Sequence, residues 1–172
     1  ACACVDSGDG TYTTNVYQYT KARERMRVFS VKGRGGIGVP FINTPTKSNA
    51  MKATLFTLGV DSGKSLVMNR LSVQEPGPNF AHYAAQEDRG FSENFFKQLT
   101  AEVLEKHFEK GVSKMAWKKI RERNEALDCA VYATAALELL SPNFEYLAEF
   151  YALKQQTAPR RPRGTLSKGI TL

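Results

Sequence analysis

Three aspartates and a lysine carry the chemistry this chain could do: Asp6 in Val-Asp-Ser-Gly, Asp61 and Lys64 in Gly-Val-Asp-Ser-Gly-Lys, and Asp128 in Arg-Asn-Glu-Ala-Leu-Asp-Cys. Each acid sits among small or apolar residues, where an uncompensated carboxylate is costly. A divalent cation is the natural compensation. In a chain of net charge +7, acids that gather metal are the arrangement expected of a nuclease: the ion activates water while Lys and Arg hold phosphates. Ligation by oxygen alone favours Mg²⁺ or Mn²⁺ over zinc. Two ions roughly 4 Å apart would stabilise attacking and leaving oxygens together. Asp6, Asp61 and Asp128 are therefore the expected metal ligands, with Lys64 at the scissile phosphate. Structural alternatives stand beside each: Asp6 can stabilise a glycine turn, Asp61 can cap a helix, and Asp128 can pair with Arg121 or Arg123. Asp9 and Glu125 are neighbouring carboxylates that could replace or support the chosen acids.

The elements that must position these residues follow from local pattern. Residues 2–6 read as a strand ending at Asp6 and a glycine turn. A helix over 13–25 closes on a cationic turn, and alternation over 27–32 gives a second strand. Residues 33–53, rich in Gly, Pro, Thr and Asn, read as a long loop. A strand over 54–60 ends at Asp61, and a short helix covers 64–71. A short strand over 80–83, a helix over 91–99 and a hairpin of 102–108 with 114–120 come next. The clearest helix spans 124–140, so Asn124 and Asp128 share one of its faces. Ser141-Pro142 ends it, and a last helix covers 144–153. Glu87-Asp88 reads as a solvated loop. Strands mixed with helices make the class α/β. A nuclease domain over 1–156 and a Pro- and Arg-rich, disordered tail over 157–172 are expected.

At 172 residues the chain is long enough for a proper core, and 42% hydrophobic with 24% charged residues is ordinary for a globular protein. The excess of 24 Lys+Arg over 17 Asp+Glu favours a polyanionic partner. Lys32, Arg34, Lys118, Lys119, Arg121 and Arg123 form the expected track for DNA phosphates, without sequence preference. No apolar run approaches the ~20 residues a bilayer requires, so no membrane partner is expected. Cys2, Cys4 and Cys129 read as buried free thiols in a reducing cytoplasm. Trp117 and Phe95–Phe96 read as core. The abrupt opening Ala-Cys-Ala-Cys-Val suggests a piece of a longer protein.

Gly59-Val-Asp-Ser-Gly-Lys-Ser65 imitates a phosphate-cradling Walker A loop, but three residues separate its glycines where the loop needs four. Asp61 would also put a carboxylate inside an anion cradle. A nucleotide-binding protein is thus a rival that the spacing argues against.

Several ordered motifs resemble a known family. Gln98-Leu-Thr-Ala-Glu102, Trp117-Lys-Lys and Arg123-Asn-Glu-Ala-Leu-Asp-Cys129-Ala-Val-Tyr-Ala-Thr-Ala-Ala-Leu137 are similar to the C-terminal part of the GpA (lambda-type) terminase large subunit of tailed phages. Val5-Asp-Ser-Gly8, Val31-Lys-Gly33, Leu58-Gly-Val-Asp-Ser-Gly-Lys64 and Asn69-Arg-Leu71 fall in the same order. The resemblance covers about residues 3–140. It implies the endonuclease part of a DNA-packaging motor working on double-stranded concatemeric DNA in the host cytoplasm. An ATPase domain, a small terminase subunit and a portal or procapsid are the implied partners. The implied fold is RNase H-like, a mixed sheet flanked by helices with an acidic metal cluster, and Asp6, Asp61 and Asp128 fall on matching motif positions. A helix directly after the first strand departs from the simplest RNase H arrangement and leaves a restriction-endonuclease-like core as the alternative. A non-catalytic DNA-binding or assembly module is the rival function, one that would survive loss of Asp6 or Asp128.

Overall fold

The computed structural model describes residues 1–48, 51–85, 89–109 and 111–157. The expected tail beyond 157 and the Glu87-Asp88 loop lie outside the described residues. The chain divides into two units, Ala1–Leu140 and Ser141–Leu172.

In the first unit β1 (Ala3–Asp6) leads through α1 (Thr13–Lys21) and a single 3₁₀ turn (Glu24–Met26) into β2 (Val28–Arg34). A two-residue β3 (Thr46–Lys47) precedes β4 (Thr54–Gly59), which runs straight into α2 (Val60–Leu71). Then come α3 (Glu93–Leu99), β5 (Glu102–Glu109), β6 (Val112–Lys119) and α4 (Glu125–Leu140). The main sheet has the order β1-β2-β4-β3, with β1, β2 and β4 parallel and β3 antiparallel on the edge. β5 and β6 form a separate antiparallel hairpin in which Leu104 faces Trp117. The second unit contains α5 (Phe144–Thr157), opened by Asn143, whose side-chain oxygen accepts the Tyr146 N–H.

Register explains why the sheet can carry a site. Asp6 lies opposite Val31, and Arg34 lies opposite Gly59. The parallel strands therefore end toward one edge, where crevices form in open α/β sheets. On one face Val31, Phe56 and Leu58 pack with Ala135 of α4, with Cys4, Phe29 and Leu139 against them. On the other face Ser30 meets Thr20 of α1 through their hydroxyls. A second cluster, Val67, Leu99, Ala126, Leu127 and Val131, ties α2 and α3 to α4. The small residues of α4 permit this close approach: Ala126, Ala135 and Ala136 are all buried.

Glycine at two positions is a packing requirement. A Cβ on Gly59 would lie 2.5 Å from the carbonyl oxygens of both Val39 and Pro40, and one on Gly63 would lie 2.6 Å from Val131 and 2.7 Å from Phe41. These are the glycines of the Walker-like segment. They serve close contact between elements, and with α2 helical from Val60 no loop remains to wrap a phosphate. Overfilling a packed core costs about 1–3 kcal/mol, so Gly63→Ala should lower the urea midpoint accordingly, with no change in α2 helicity by circular dichroism.

Some boundaries differ from expectation. β2 extends to Arg34, and the long loop holds β3 and a bridge between Ile42 and Leu58. Residues 80–83 form no strand. There Tyr83 packs edge-on against Phe91, Phe95 and Phe96, an aromatic cluster in place of a ladder. Cys129 is exposed on α4, whereas Cys2 and Cys4 are partly buried, and all are free thiols. Burial pushes the Cys4 thiol up to about 12, which leaves it protonated and inert.

Candidate active site

Asp6 is fixed by the residues that follow it. The Ser7 amide and hydroxyl each donate to the Val31 carbonyl at 2.8 Å, closing β1 onto β2. The Gly8 amide donates to Asp6 Oδ1 at 2.8 Å, and a Cβ there would crowd that oxygen at 3.1 Å. Thus Val-Asp-Ser-Gly is a strand end that holds its carboxylate in a set orientation. Strand alternation puts Asp6 on the same face as Cys4, the face covered by α4. There Tyr132 stands within electrostatic reach of both Asp6 and Asp128. Burial, with Asp6 and Asp128 nearby, holds that phenol well above its ordinary pKa, so it stays protonated.

The start of α4 supplies the second part. The Asn124 carbonyl accepts the Leu127 and Asp128 amides at 2.9 and 3.2 Å, opening the helix. Asn124 Nδ2 donates to Asp128 Oδ2 at 3.2 Å and to Glu102 Oε1 at 2.8 Å. Glu102 is 7% exposed, and its other oxygen accepts from Lys64 Nζ at 2.6 Å. One hydrogen-bonded chain therefore runs from α2 through the start of β5 to α4. Burial raises the Asp128 pKa; Lys64 and Lys119 lower it, and Glu102 and Asp6 raise it. Burial is the largest of these effects, so the net increase reflects chiefly the cost of holding a charged carboxylate out of water.

Asp6 lies within electrostatic reach of Asp128, and Lys64 is joined to Asp128 through Glu102 and Asn124. Asp61 is arranged differently. α2 begins at Val60, so Asp61 occupies a first helical turn, and its Oδ2 accepts the Gly36 amide at 2.8 Å. Its carbonyl accepts the Trp117 indole N–H at 3.2 Å. Asp61 thus sits in a helical turn and not at the expected strand end, and among the described residues no group of three His, Cys, Asp or Glu side chains is set to hold a metal ion. Of the supporting acids, Asp9 accepts the Thr11 amide at 2.8 Å, and exposed Glu125 faces Arg123 at 3.3 Å.

The basic residues divide as well. Lys32 and Arg34 are exposed at the end of β2, and exposed Lys119 acts on Asp128. Lys118 pairs with Glu105 at 3.1 Å, and Arg123 pairs with Glu125. Exposed Arg121 donates to the carbonyls of Lys97 and Thr100 and so fastens the end of α3. Glu102, Asn124 and Tyr132 are the site residues that sequence reasoning did not select. The i,i+4 spacing of Asn124, Asp128 and Tyr132 on one helix was the available signal.

The match to known proteins agrees with this geometry. The model of the terminase large subunit gpA endonuclease domain matches residues 1–148. The chain belongs to that family. The terminase large subunit of Escherichia phage lambda is 36% identical over 140 residues, covering 79% of this chain and 22% of that protein. The terminase large subunit of Enterobacteria phage P21 is 32% identical over 152 residues, covering 86% of this chain and 24% of that protein. This gpA endonuclease domain thus spans about a quarter of the length of the curated relatives it matches. No solved structure matches it. Among the described residues no helix is long and apolar enough to cross a membrane.

Proposed function

We propose that this chain is a divalent-metal-dependent DNA endonuclease domain that cuts concatemeric phage DNA during packaging. The observation that carries the reading is Asp6 at the end of β1 with Asp128 of α4 in electrostatic reach of it, in a chain of the gpA endonuclease family. The donors are all oxygen, which suits a hard ion, Mg²⁺ or Mn²⁺, that takes one or two carboxylates and leaves other positions to water and substrate phosphate.

Asp6 and Asp128 would hold the ion. A bound ion would polarise the phosphate and lower the pKa of the attacking water so that it gives up a proton to solvent; in-line hydrolysis of the phosphodiester would leave a 3′-hydroxyl and a 5′-phosphate. Gly8 orients Asp6 by a hydrogen bond, and Asn124 orients Asp128. Lys64 holds Glu102 and adds positive charge beside the pair. A second ion would draw on Glu102, which must then share its oxygen with Lys64, or on Asp61 across the cleft. Exposed Lys32, Arg34 and Lys119 bind the DNA backbone. We assign the core to the RNase H-like group on the mixed, helix-flanked sheet and the acid, Asp6, at the end of its first strand, although α1 follows β1 directly. The ATPase domain, small terminase subunit and portal or procapsid are its working partners, in the host cytoplasm.

Plasmid nicking with Mg²⁺ or Mn²⁺ tests this. Wild-type protein should nick with either ion and stop in EDTA, and Asp6→Asn should lose about 10²–10³-fold, the several kcal/mol of charge stabilisation that a bound ion supplies. Equal nicking by Asp6→Asn and wild type would refute the assignment and favour a non-catalytic DNA-binding module.

A further inference from the structure

A cleft of about 510 Å³ opens between the β5–β6 hairpin and the Gly36–Ile37 turn, with Asp61, Lys64 and Glu102 in its wall. An adjoining recess of about 180 Å³ shares Ile37, Asp61, Met115 and Trp117 and adds Leu104. Three large apolar side chains at this place remain in water: Ile37 is 73% exposed, Met115 47% and Leu104 44%. Trp117 is held behind them by its bond to the Asp61 carbonyl. Exposed apolar groups gathered around one cleft mark a binding surface.

We propose that this cleft takes an unstacked nucleobase of the DNA strand being cut, with Trp117 and Met115 as its apolar walls. The inference rests on the nuclease reading, since it places the cleft beside the scissile phosphate. Three features favour a base over other occupants. Lys64 and Glu102 belong both to the cleft wall and to the chain of contacts reaching Asp128, so a strand lying across Asp6 and Asp128 passes the cleft mouth. The interior sets Asp61 and Glu102 beside Lys64, Lys114 and His107, so acceptors and donors for the edge of a base both line it. Apolar and aromatic walls stack any base, which matches backbone binding without sequence readout. The cleft is also wide enough for a planar ring system, within the size range of small-molecule sites.

Trp117 is the only tryptophan in the chain, so its fluorescence reports on the cleft alone. A short single-stranded DNA with a 5′ fluorescein label, in Ca²⁺ or EDTA, gives binding by anisotropy and occupancy by tryptophan emission from the unlabelled strand. Binding should quench Trp117, and a strand with an abasic site at the position facing the cleft should bind without that quenching. Met115→Ala and Ile37→Ala, at exposed positions outside the core, should weaken binding by about 5- to 50-fold, the range that loss of stacking surface produces. Their melting should stay unchanged. The proposal is overturned if DNA binds with Trp117 emission unaltered, if the abasic strand quenches equally, or if both variants bind as wild type does. Nicking by wild-type protein is read separately: a domain that nicks without quenching keeps the nuclease reading and loses the base pocket.

Discussion

Lys64→Met is expected to destabilise the fold by about 3–5 kcal/mol, the usual consequence of removing one member of a buried ion pair. Lys64 and Glu102 are 12% and 7% exposed and lie 2.6 Å apart. Without the ammonium, Glu102 keeps the Asn124 amide but is left buried without its countercharge. The double variant Lys64→Met/Glu102→Met should recover most of the loss, because no lone charge remains and the apolar stems still fill the space. Urea unfolding of wild type, both single variants and the double variant measures the coupling directly. The result also separates two roles for Lys64. If Lys64→Met abolishes nicking but leaves the urea midpoint where it was, the lysine serves the substrate phosphate and the pair with Glu102 is dispensable.

The readable part of this chain was the part set by local pattern. The hairpin of β5 and β6 announced itself by two apolar–polar alternations around a glycine, and α4 by its long apolar period ending at Ser141-Pro142. Asp6 and Asp128 were visible because an acid among small residues at an element boundary is chemically conspicuous. Glu102 was not, because nothing local distinguishes it from other strand glutamates; only the fold places it against Lys64 and Asn124. Asp61 was misplaced for a different reason. Its neighbours Ser62 and Gly63 look like a turn, but Gly63 is there to let α2 approach Val131, and the helix already begins at Val60. A glycine demanded by packing imitates a glycine demanded by a loop, and the distinction needs the partner helix in view. The basic residues show the same limit. Arg121 looks like its neighbours in sequence, yet carbonyls of α3 and the residue after it capture its guanidinium.

Asp128→Asn should separate stability from activity in opposite directions. Burial, reinforced by Glu102 and Asp6, raises the Asp128 pKa in the folded protein. The folded state therefore holds this proton more tightly than the unfolded chain does. Its stabilising contribution is complete below the unfolded carboxylate pKa and is lost as pH rises through the folded value. At neutral pH without metal the native site carries a charge it does not favour. Asparagine removes that charge and keeps an oxygen that can accept the Asn124 amide. In EDTA at pH 7–8 the variant should thus melt at or above the wild-type temperature, and the difference should vanish near pH 3 where both are neutral. Mg²⁺ or Mn²⁺ should raise the wild-type melting temperature by binding the native state and leave the variant nearly unmoved, while nicking falls about 10²–10³-fold. A variant that melts well below wild type in EDTA at neutral pH would mean Asp128 holds the fold together through Asn124, and its loss of activity would then say nothing about an ion. A residue that makes the empty protein less stable and the loaded protein active is the signature of a site built for function.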